Sequence, residues 1–167
     1  SGFRVRNFIR FNNQLFMGGN FSKAGNKSTG GFAVWNGSGW DSVGSGKPEL
    51  IRDMVTFKNK LFVAGSITEI ADLNNVHGVA KFDGTTWSKL PQLSVNDDYV
   101  ASLCVYNNKL YASGKFGSFP NYYYLANSSN GNIWDSLAIP GNKIVNQMLV
   151  VNNKLYLAAT AAIYRFD

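Results

Sequence analysis

Apolar residues recur along this chain in short clusters separated by Asn, Gly and Lys, and the clusters themselves repeat. Four segments align without a gap: 5–15 (VRNFIRFNNQL), 51–61 (IRDMVTFKNKL), 100–110 (VASLCVYNNKL) and 145–155 (VNQMLVVNNKL). Their closing leucines, Leu15, Leu61, Leu110 and Leu155, lie 46, 49 and 45 residues apart, and Trp40, Trp87 and Trp134 recur every 47 residues. Two separate markers with one period identify an internal repeat, which constrains the architecture before any single element is read.

Each aligned segment reads as a strand that ends in Asn-Asn or Lys-Asn, residues that tolerate the positive φ of a tight hairpin. A second strand follows at once, as Leu15-Phe16-Met17-Gly18-Gly19 and its counterparts from Leu61, Leu110 and Leu155, with small residues converging at one column where a neighbouring backbone comes close. A longer polar loop leads to a third strand, seen at 32–35, 79–82 and 163–166. Asn36-Gly37 and Asp83-Gly84 then predict type I′ hairpins into a fourth strand that carries the repeating Trp. In the first strand two adjacent columns are both apolar: Phe8, Met54, Leu103, Met148 beside Ile9, Val55, Cys104, Leu149. Adjacent strand residues point to opposite faces, so this strand is covered on both sides.

Sheets stacked between two others do that. The expectation is an all-β chain of β-propeller repeats, four-stranded antiparallel blades of about 47 residues, about 3.75 of them in one partial domain spanning the whole chain. The repeats run approximately over 5–50, 51–99, 100–144 and 145–167, the last stopping at the turn after its third strand. The ring is therefore expected to be incomplete, with further blades or a protein partner completing an open edge.

Composition narrows function mostly by exclusion. The chain has 45% hydrophobic and 16% charged residues, which fits a packed globular domain. Its longest apolar runs, such as Met148-Leu149-Val150-Val151, fall far short of the roughly 20 residues of a membrane-spanning helix. Residues 1–4 show no charged segment leading into an apolar one. The net charge of +6 comes from basic residues scattered over turns (Lys58, Lys60, Lys109, Lys154) and strand starts (Arg6, Arg52), which argues against a nucleic-acid surface. A single cysteine, Cys104, excludes an intrachain disulfide or a cysteine-rich zinc site and sits in a core column.

The repeat pattern, N-x-x-L-[FY]-x-x-G-x-F, then an Ala-Gly loop, then [FV]-A-x-[WF]-[ND]-G-x-x-W, resembles the propeller repeats of large secreted bacterial surface proteins of Bacteroidetes type. More distantly it is similar to kelch-type and fungal cortical-marker propellers. The first unit carries it through Asn13, Leu15, Gly19, Phe21, Ala24, Gly25, Ala33, Trp35, Asn36, Gly37 and Trp40, whereas unit three has Phe119-Pro120-Asn121-Tyr122-Tyr123 where the Ala-Gly loop would stand. The resemblance implies an extracellular or cell-surface protein serving as an adhesion or interaction scaffold.

No catalytic, cofactor or metal constellation emerges from the residues. His77, the only histidine, has no evident partner nucleophile or set of co-ligands. Asp83-Gly84-Thr85-Thr86-Trp87 is similar to the Asp-box turn of sialidase-type propellers but lacks its Ser and its spacing, and no acid and nucleophile pair accompanies it. Asp72, Asp97 and Asp98 form no alternating calcium loop. The candidate ligand or partner residues are Tyr122 and Tyr123, loop aromatics flanked by Asn121 and Asn127 that suit stacking on a sugar or a protein contact, with packing between blades as the favoured structural alternative. The reading is a non-catalytic interaction module. The alternatives are a lectin-like propeller using those tyrosines and a fragment of a propeller enzyme whose catalytic residues lie outside this chain.

Overall fold

The computed structural model describes residues 3–44, 50–90, 99–118 and 121–166, and these form antiparallel sheets with no α-helix. The first sheet is made by β1 (Arg4–Phe11) and β2 (Gln14–Asn20), a small flap of β3 (Lys23–Ala24) and β4 (Lys27–Ser28), then β5 (Phe32–Trp35) and β6 (Trp40–Ser42). The second repeats the plan with β7 (Leu50–Phe57), β8 (Lys60–Ser66), a flap of β9 (Glu69–Ile70) and β10 (Leu73–Asn74), β11 (Val79–Phe82) and β12 (Trp87–Lys89). The third has β13 (Val100–Tyr106), β14 (Lys109–Ser118), β15 (Asn121–Ser128) and β16 (Asp135–Leu137), without a flap. The fourth holds β17 (Val145–Val151), β18 (Lys154–Ala159) and β19 (Ala162–Phe166). Spatial order within every sheet follows chain order, so the first three are four-stranded meanders and the last is three-stranded. Strands β1, β7, β13 and β17 pack successively against one another and form a common inner side.

The hairpins follow from their residues. Asn12 and Asn13, Lys58 and Asn59, Asn107 and Asn108, and Asn152 and Asn153 all take positive φ between 46° and 60°, the two-residue turn whose twist matches the flanking strands. The third-to-fourth strand turns differ from the type I′ expectation. Only Gly37 and Gly84 have positive φ there, and Asn36 and Asp83 instead use a side-chain oxygen to accept the N–H groups of Ser38 and Gly39 or of Thr85 and Thr86. An Asx side chain that closes the turn from its first position leaves only the following residue to adopt the left-handed region, and glycine does so at least cost.

A β-bulge falls at the same column of every inner strand, at Arg6, Arg52, Ala101 and Asn146. Opposite it stands glycine in the first three sheets, at Gly19, Gly65 and Gly114, and Ala159 in the fourth. A Cβ on Gly65 would lie 1.9 Å from the Leu50 carbonyl oxygen, and one on Gly114 would lie 2.2 Å from that of Tyr99.

The core lies between sheets. Phe11, Phe16 and Phe32 of the first sheet meet Ile51, Met54 and Leu61 of the second. Phe57, Phe62 and Val79 of the second meet Val100, Leu103 and Leu110 of the third. Tyr106 and Leu125 of the third meet Val145, Met148 and Leu155 of the fourth. Each buried side chain of this size contributes about 1.5–3 kcal/mol, so the sheet-to-sheet contacts carry most of the stabilisation.

Candidate functional site

The same columns that build these interfaces are bare at the two ends. Val5, Phe8, Leu15 and Trp35 are exposed on the first sheet, Phe8 to 57%. Their counterparts in the second sheet, Ile51, Met54 and Leu61, are buried against the sheet before them, and so are Val100, Leu103 and Leu110 in the third. On the fourth sheet Leu149, Val151 and Ile163 are exposed, at 60%, 41% and 79%. The residues at the Val151 position in the earlier sheets, Phe11, Phe57 and Tyr106, are buried against the sheet that follows, as are Phe32, Val79 and Leu125 at the Ile163 position. The two ends thus present opposite halves of one interface that the molecule forms three times internally.

The first face is partly covered by its own loop. Phe21 and Ala24 pack with Met17, Ala33 and Trp40, leaving an aromatic group in which Trp40 lies 5.4 Å from Trp35 and 6.2 Å from Phe8, centroid to centroid. A cavity of about 520 Å³ adjoins it, lined by Arg10, Leu15, Trp35 and Asn36 among others. Edge-to-face and offset aromatic groupings of this kind are common anchors at protein interfaces.

Along the inner side the column after the bulge links sheets through polar contacts. Asn7 Nδ2 donates to the Arg52 carbonyl at 3.0 Å. Asp53 Oδ2 accepts from Ser102 Oγ at 2.9 Å and from the Leu103 N–H at 2.8 Å, and Ser102 Oγ in turn accepts the Met148 N–H at 3.3 Å. The second Asp53 oxygen accepts its neighbour's amide, Met54 N–H, at 2.8 Å. Burial pushes the Asp53 carboxyl above its ordinary value, and the bonds from Leu103, Ser102 and Met54 pull it back only in part.

The residues singled out from sequence are scattered. Tyr122 and Tyr123 belong to β15 and pair in the ladder with Gly117 and Phe116, so they stand in a strand and not in a loop; their side chains lie outside the described residues. His77 is exposed in the connection between β10 and β11. Cys104 packs half-buried at the interface of the third and fourth sheets, and burial, with Asp53 adding to it, raises its thiol above the ordinary value. Asp83 is exposed and held at about 2 by the hydrogen bonds of Thr86 and Thr85 described above, the work of a turn. Asp97 and Asp98 lie outside the described residues, and Asp72 is exposed. Among the described residues no group of three or more His, Cys, Asp or Glu could hold a metal ion, and no helix is long and apolar enough to cross a membrane.

No protein-family model and no curated protein matches the chain. Solved structures do. One is the extracellular domain of a protein assigned as a one-component system in B. thetaiotaomicron, which aligns over 98% of this chain with a TM-score of 0.60 and 12% identity. This chain spans 21% of the length of that one. At such identity the likeness is one of fold, and it covers all four sheets.

Proposed function

We propose that these residues are consecutive blades of a β-propeller, part of a larger ring, and that the ring is a non-catalytic interaction module acting outside the cell or at its surface. The observation that carries this reading is the complementarity of the two ends. A face that repeats the buried columns of an internal interface is fitted by further sheets of the same repeat, because only such a sheet brings the matching apolar columns in the matching register. Four-stranded meanders stacked through their faces, with first strands inward, are the building plan of a propeller. The fold likeness to an extracellular domain of a bacterial protein, and the resemblance of the repeats to secreted surface propellers, support the location.

The test is the mass of the 167-residue chain by light scattering over a concentration series. Head-to-tail association is expected, with copies standing in for the neighbouring sheets, and Phe8→Glu should abolish it, since a carboxylate in that column cannot be desolvated against an apolar sheet. A chain that stays monomeric at all concentrations, and whose mass Phe8→Glu leaves unchanged, would sink the reading.

A further inference from the structure

A cavity of about 430 Å³ opens on the inner side of the molecule, and all of its lining residues but Tyr99 come from two columns of the repeat, the bulge and the position after it. All four inner strands contribute. The first two place Arg6 and Arg52 there, and the fourth places the amides Asn146 and Gln147. A bulge leaves its residue out of the ladder and re-aims the side chain, which is how a strand otherwise committed to packing delivers a charged residue to a shared space.

The charge of this cavity is unbalanced. Among the described residues no carboxylate forms an ion pair with Arg6 or Arg52. Asp53 also lines the cavity, but its oxygens already accept from Ser102, Leu103 and Met54. The Arg52 guanidinium lies over the Tyr99 ring, 4.5 Å from its centroid, and its Nε is buried without a partner. A buried donor left unmatched is costly, as is bringing two guanidinium groups together in a partly desolvated space. Burial, together with the like charge of Arg6, pulls the Arg52 group below its ordinary value.

Guanidinium forks flanked by neutral amides suit an acceptor-only group of negative charge. We propose that this cavity binds a small oxyanion, the carboxylate or sulfate-type group of a soluble ligand, with Arg6 and Arg52 supplying the charge and Asn146 and Gln147 further donors. The cavity is built wholly from residues of this chain, so the assignment does not depend on what covers the end faces.

Titration of ¹⁵N-labelled protein with sodium sulfate, at ionic strength held constant with chloride, tests it. A saturable shift of the Arg52 Nε–H resonance is expected. Binding should weaken by about tenfold or more in Arg6→Gln and in Arg52→Gln, the loss expected for a hydrogen bond to a charged group. Arg10→Gln, which lies in a different cavity, should bind as the unaltered chain does. Arg6 is exposed, so its substitution keeps the test valid should Arg52→Gln disturb folding. A parallel titration with sodium acetate separates the sources: tighter binding of acetate points to a carboxylate ligand, and tighter binding of sulfate to a tetrahedral one. A shift that grows without saturating, or equal responses from Arg6→Gln and Arg10→Gln, would overturn the proposal.

Discussion

Asp53 shows how much one side chain at the inner column does. Its carboxyl joins the second sheet to the third directly and to the fourth through Ser102, while Met54 N–H holds it in place. Asp53→Ala strands the Leu103 amide and the Ser102 hydroxyl in a partly buried site, and should lower unfolding stability in urea by about 2–3 kcal/mol. The pH dependence follows from the direction of its shift. The folded-state value lies above the ordinary 3.8, so the proton is held more tightly in the folded chain than in the unfolded one. The stabilisation linked to that proton is complete below the ordinary value and is lost as pH rises through the raised one. The stability advantage of the unaltered chain over Asp53→Asn should therefore shrink between acid and neutral pH when urea unfolding is followed across that range. A difference that grows over the same range would show that the hydrogen bonds outweigh the burial. Nothing in the sequence marks Asp53 for this part, because its counterparts are Asn7, Ser102 and Gln147. Polarity is kept in that column while chemistry varies, and which member ends up bridging sheets depends on side-chain length and on the sheet it meets.

At the scale of the strand, the sequence is legible wherever a residue type has one physical use. Asn-Asn in a hairpin position and the paired apolar columns of the first strand predict the hairpins and the two-sided burial that β7 and β13 show. The bulge is not among the features the sequence predicts, although in the first, second and fourth segments an apolar residue is followed by two polar ones before the next apolar one, and the small residues of the second strand that stand opposite mark a close backbone approach. The flaps β3–β4 and β9–β10 were not readable, since a two-residue strand carries no period. The extension of β14 and β15 to Ser118 and Asn121 was missed because Tyr122 and Tyr123 replace the polar loop residues of the other units, and aromatic residues are as much strand formers as ligand contacts. The bulge and its glycine make a paired device, and Gly65→Ala tests it. The added methyl would fall 1.9 Å from the Leu50 carbonyl oxygen, so backbone must shift in a strand buried on both faces. A loss of about 3 kcal/mol or more is expected in chemical denaturation, in the range of steric insertion into a core. In the fourth sheet Ala159 holds the same column and pairs with Val145. There Ala159→Gly should cost only about 1 kcal/mol, the backbone-entropy penalty of glycine in a strand.

For the molecule as a whole, the decisive feature is the polarity of its stack. Sequence shows which columns are apolar but not which sheet leaves them bare, because Phe8 and Met54, or Leu149 and Val55, are equally hydrophobic on paper. Only the stacking order shows that Val5, Phe8 and Leu15 of the first sheet, and Leu149, Val151 and Ile163 of the fourth, are the ones left exposed. Opposite halves of one interface make a heterologous contact, in which the tail of one copy meets the head of the next, and not a two-fold contact of a face with itself. The two kinds give different results on mixing. Phe8→Glu spoils the head and leaves the tail intact, whereas Leu149→Glu does the reverse. Each variant alone should be monomeric, since its one sound face finds only spoiled partners. Mixed in equal amounts they should form a dimer with one joint, between the sound tail of the first and the sound head of the second, and light scattering should register twice the monomer mass without larger species. If each face instead paired with itself, each variant alone would dimerise through its sound face and mixing would add nothing.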